Sequence, residues 1–135
     1  MCLDKERNIF KGRNPIQKAT EDIKIYKVFV SYNDLDQLCS PCYAYNWELN
    51  KLNETSFNKR DLKPYRDGFK FYWHINNGFH SFTDIKSARY LIESMPNNSV
   101  RSIYSGIIPK GSNYISGQGS EIVSNQIIIK AKINE

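Results

Sequence analysis

The chain has 135 residues, a formal charge of +5 and a pI near 9.1, with 40% hydrophobic, 24% charged and 13% aromatic residues. That is the length of one domain, with enough apolar side chains for a core that folds without disulfides or metal. No apolar run approaches the roughly 18 residues of a membrane span.

Residues 1–22 are polar and charged, without the apolar stretch of a secretory signal. Three cysteines, an odd number, argue against a secreted disulfide framework. The expectation is a cytoplasmic protein with no membrane association. The positive excess suits an anionic partner such as a nucleotide, and it equally describes a solvated surface, because the basic residues are scattered and only Lys59 and Arg60 are adjacent.

Residues 1–22 read as an N-terminal arm, interrupted by Gly12, Asn14 and Pro15, ahead of a single domain over 23–135. Ile23 to Val30 is rich in Ile, Tyr and Val and predicts a strand. Its alternation puts Ile23, Ile25, Lys27 and Phe29 on one face and Lys24, Tyr26, Val28 and Val30 on the other. Tyr43 to Leu49 alternates in the same way, with Tyr43, Tyr45, Trp47 and Leu49 together, and predicts a half-buried strand. Residues 50–66 are polar and read as loop or short helix. Phe69 to Ile75 predicts a strand, Asn76-Asn77-Gly78 a tight turn, and Phe79 to Phe82 a short strand.

The clearest helix spans about residues 84–95, with Ile85, Ala88, Leu91, Ile92 and Met95 at helical spacing and Pro96 beyond its end. Thr83 is placed to cap it. Val100 to Ile108 and Gln126 to Ile133 predict strands, separated by the Pro109-Lys110-Gly111 turn and a Gly-rich loop over Ser116 to Ser120. Strands dominate and no β-α-β-α alternation appears. The expected fold class is α+β, a strand-dominated mixed or antiparallel sheet with one main amphipathic helix.

Several groups carry possible chemistry, each beside a plainer structural reading. Cys39-Ser40-Pro41-Cys42 has the spacing of a redox pair or half a zinc site; His74 and His80 would complete a two-Cys, two-His set, but their gap from Cys42 does not match a zinc finger, so structural cysteines and no metal are expected. His80, Ser81 and Thr83 precede the helix, where an anion finds backbone N–H groups and hydroxyls; the same residues also serve as caps. Lys110 and Ser112 sit in an exposed turn suited to a phosphate. Gly119, in Gly117-Gln118-Gly119-Ser120, offers backbone N–H groups as a nest, or is a flexible turn. Tyr45 and Trp47 form a stacking platform or part of the core. Glu121 stands at a strand edge beside the Gly-rich loop, as a catalytic carboxylate or as an edge charge that blocks sheet pairing.

The pieces Tyr26-Lys27-Val28, Gly78-Phe79-His80-Ser81-Phe82 and Ile108-Pro109-Lys110-Gly111-Ser112, with Ser124-Asn125-Gln126-Ile127, make the chain resemble a group of small proteins of phages and gut Bacteroidota over roughly residues 19–130. No catalytic mechanism comes with that resemblance. If the chain is phage-encoded, it implies a place in the host cytoplasm. A weaker similarity is to the ADP-ribosyltransferase fold, whose order of basic residue, Ser-x-Ser/Thr and late Glu matches Lys27, Ser81-Phe82-Thr83 and Glu121, with Lys27 departing from the usual Arg or His.

Three expectations follow. The first is a small phage-type binding protein for an anionic, nucleotide-like ligand, which would sequester a host defence signalling nucleotide. Lys27, His80, Thr83, Lys110, Ser112 and Gly119 would meet the anion, and Tyr45 and Trp47 the base; no cofactor is required. The second is an ADP-ribosyltransferase-like enzyme using NAD, with Glu121 and Ser81 catalytic. The third is a protein-interaction module acting on a host protein. A homo-oligomer fits small binding proteins that build sites across a two-fold axis.

Overall fold

The computed structural model describes residues 3–6, 15–31, 47–57, 62–67, 70–75, 78–94, 100–117 and 119–133. In chain order the elements are β1 (Leu3–Glu6), β2 (Gln17–Lys18), β3 (Ile23–Ser31), β4 (Leu52–Glu54), β5 (Leu62–Asp67), β6 (Lys70–Ile75), β7 (Phe79–Phe82), α1 (Ile85–Glu93), β8 (Val100–Ile108), β9 (Asn113–Ser116), β10 (Glu121–Ser124) and β11 (Gln126–Lys132). The fold is α+β and strand-dominated, with one helix among the described residues. An open antiparallel sheet has the order β2-β9-β10-β7-β3-β8-β11-β4, and β1-β6-β5 form a smaller sheet. The single parallel contact among the described residues is an isolated bridge between Leu49 and Ile129.

β3 and β8 form the spine, paired along their whole lengths from Ile23 with Ile108 to Ser31 with Val100. Alternation then sorts the side chains. Ile25 and Phe29 of β3 join Phe79, Ile108, Ile122, Ile127 and Ile129 in one buried cluster. Val28 joins Phe82, Ile103 and Ala88 of α1 in another, on the opposite face. The helix therefore lies on one side of the spine, held by Ala88, Leu91 and Ile92 and by a hydrogen bond from Arg101 Nη1 to the Ile92 carbonyl at 2.6 Å.

The first cluster draws on β7 and β10 from one wing and on β11 from the other. Three strands separate β10 from β11 in the hydrogen-bond order, yet a single residue, Asn125, joins them in sequence. An open sheet satisfies both facts only if it curls until its two wings meet at that joint. Asn125 ties the joint: its Oδ1 accepts from Asn113 N at 2.9 Å, its carbonyl accepts from Thr55 N at 2.9 Å, and its own N–H reaches the Asn113 carbonyl at 3.1 Å. The first cluster is thus the concave side of the sheet and α1 covers the convex side.

Curling brings backbones close. A Cβ on Gly106 would lie 2.4 Å from the Ile128 carbonyl oxygen, beside the register shift between Ile129 and Ala131. A side chain there would force β11 off β8, so the bulge and the glycine act together. Gly78, at φ +86°, opens β7 where a Cβ would meet Val123 Cγ1 at 2.6 Å.

The small sheet meets the large one through a third cluster of Phe57, Ile75, Ile115 and Val123, with Ile16 against it. The edge strand β4 is fixed by buried Asn53. Its amide accepts from Glu48 N at 3.0 Å and donates to the carbonyls of Glu48, Lys51 and Ile127 at 3.0, 3.2 and 3.4 Å.

Several expectations need correction. The N-terminal arm contributes β1 and β2, and buried Ala19, just after β2, is tied to the turn after β8 by hydrogen bonds with Gly111 and Ser112. Residues 50–66 hold β4 and β5 rather than loop or helix. The cap of α1 is Asp84, whose carboxylate accepts from Lys86 N at 2.9 Å, while Thr83 hydrogen-bonds to Ser120. Most of the strand expected over Tyr43 to Leu49, including Tyr45, lies outside the described residues, as do Cys39, Cys42 and Met95. No helix among the described residues is long and apolar enough to cross a membrane.

Candidate functional site

The concave face of the sheet is largely apolar. Lys27 follows Ile23 and Ile25 and precedes Phe29 in the inward-facing set of β3, so alternation turns its amine into the cluster. It is 2% exposed and is the only buried charged residue among those whose burial is described. Its Nζ donates to the His80 carbonyl at 2.6 Å. Nζ also stands 5.0 Å from the centre of the Trp47 ring and 5.7 Å from that of Phe29. Aromatic faces attract a desolvated ammonium but replace only part of its lost hydration. Burial accordingly pushes the Lys27 amine down from 10.5 to about 7.

Trp47 reaches this face from the segment ahead of β4. It is half-buried and lies edge-on to Phe29 at 5.4 Å and tilted against Phe79 at 4.8 Å. Tyr104, which pairs with Lys27 across β3 and β8, closes on Phe29 at 5.4 Å. The ammonium is thus bordered by aromatic rings, one of which is partly open to solvent.

Ser81 belongs to the same face. Tyr26 pairs with Phe82, both on the helix side, so the next residues, Lys27 and Ser81, both turn to the concave side. Ser81 pairs with Ile122, a member of the concave cluster, which confirms the direction. The Ser81 side chain is 1% exposed, and its Oγ is buried without a hydrogen-bond partner. A buried hydroxyl of this kind is a cost the fold carries. The carbonyl that receives the Lys27 ammonium belongs to the residue next to Ser81.

The other expected residues fall into two separate places. At the start of α1, Thr83 N and Oγ1 both donate to the Ser120 carbonyl, at 2.9 and 3.3 Å, and Ser120 Oγ reaches Ser87 Oγ at 2.6 Å. With Asp84 capping the helix, a carboxylate of the chain itself occupies the place an incoming anion would take. Gly119, at φ +67°, is exposed in the adjoining turn. Glu121 pairs with Phe82, which puts it on the helix side of the sheet, opposite to Ser81 and Lys27. The transferase reading needs Glu121 and Ser81 to address one substrate, and alternation directs them to opposite faces.

The second place is the turn after β8. Lys110 is exposed there, and its backbone N–H donates to Asp22 Oδ1 at 2.9 Å. Ser112 is fully buried, with Oγ donating to Gln126 Oε1 at 3.1 Å. It braces the joint between the wings and is turned away from solvent. Ser112 adjoins the β9 end that pairs with Ser124, whereas Glu121 is at the other end of β10, roughly 10 Å away at strand spacing. The structure therefore brings together Lys27, Trp47, Ser81 and the His80 backbone, and leaves Thr83, Gly119 and Glu121 in one group and Lys110 and Ser112 in another. Among the described residues no cluster of three or more His, Cys, Asp or Glu is placed to hold a metal ion.

No family model, curated protein or solved structure matches this chain.

Proposed function

We propose that this chain is a binding protein for a small anionic, nucleotide-like ligand, with Lys27 as its anion contact. The observation that carries the reading is the Lys27 ammonium held inside the concave, apolar face of the sheet. A buried ammonium favours the approach of negative charge, and an anionic ligand supplies it. Trp47 offers a partly exposed ring beside that charge, suited to the face of a base. In the phage setting that the sequence resemblance implies, such binding amounts to sequestration of a host signalling nucleotide, with the ligand released unchanged.

Titration calorimetry against mononucleotides, cyclic mononucleotides, dinucleotides and NAD tests the reading. A saturable heat is expected with at least one of them, and chromatography should return that ligand intact. Lys27→Met should weaken binding by about 10- to 100-fold, as for loss of a charge-assisted hydrogen bond. Silence across the set, or unchanged affinity in Lys27→Met, would reject it.

A further inference from the structure

We draw no further inference here: the strongest candidate, the partly exposed patch of Lys24, Ile107, Ile128 and Leu52 that runs across β3, β8, β11 and β4 on the convex side of the sheet, is an apolar face, and nothing in the structure shows what covers it.

Discussion

Lys27→Met is expected to make the protein more stable at neutral pH, by about 2–4 kcal/mol. The native state holds an amine that burial has brought from 10.5 down to about 7. Between those two values the unfolded chain binds a proton at Lys27 that the folded chain does not. Stability then rises with pH across that window, by about 1.4 kcal/mol per pH unit from this group, and the full penalty is present at and below pH 7. Methionine has similar length and no charge, so it removes the penalty. The partial offset is the His80 carbonyl losing its donor, which costs about 1 kcal/mol. Urea unfolding of both proteins from about pH 6 to about pH 10 separates this from the other titrating groups, because those are common to both. The stability difference should be greatest at the acid end and shrink steadily towards pH 10. A parallel pair of curves, or a less stable Lys27→Met, would mean the amine is not held desolvated.

The second large effect concerns the curl of the sheet. Phe79→Ala should cost about 3–5 kcal/mol, as for a fully buried aromatic whose place is not refilled. Phe79 is on β7 and Ile129 on β11, with β3 and β8 between them in the hydrogen-bond order. In a flat sheet they would be about 14 Å apart, and substitutions at the two positions would be additive. In the curled sheet both belong to one cluster around Phe29 and Trp47. A double-mutant cycle with the milder Phe79→Leu and Ile129→Val should therefore show a coupling of at least about 0.5 kcal/mol. Strict additivity would say that the wings do not share a core.

The elements that were legible in the sequence are those whose own side chains determine them. β3, β6, β7, β8 and β11 carry runs of β-branched and aromatic residues, and α1 shows Ile85, Ala88, Leu91 and Ile92 at helical spacing. The strands that were not legible are short or polar. β2 is Gln-Lys, β4 is Leu-Asn-Glu and β5 contains Pro64. Such segments become strands because a neighbour offers backbone partners, as β11 does for β4, and local propensity has no record of that neighbour. Asn125 gives no local sign that it joins two wings, since the joint exists only when β9 and residue 55 close on it.

The candidate site divides in the same way. The alternation of β3 already put Lys27 with Ile23, Ile25 and Phe29, and a charge in an otherwise apolar set was its visible mark. That Ser81 shares its face depends on the pairing of Tyr26 with Phe82, a contact across more than fifty residues of chain. Lys110, Ser112 and Glu121 looked comparable to Lys27 in the sequence because turn chemistry and edge charges resemble binding chemistry. Burial separates them: Ser112 is consumed in bracing the wings, and Glu121 faces the helix side.

The central claim is that the Lys27 amine is desolvated on the concave face and receives an anion there. Its most direct test is an NMR pH titration of the lysine side-chain ε-carbons, assigned with Lys27→Met, with and without the nucleotide that gives heat in calorimetry. The account predicts one lysine resonance, absent in Lys27→Met, with a midpoint near pH 7 in the free protein and a clearly higher midpoint when that nucleotide is bound. A Lys27 midpoint near 10.5 that does not move on adding the nucleotide would contradict it.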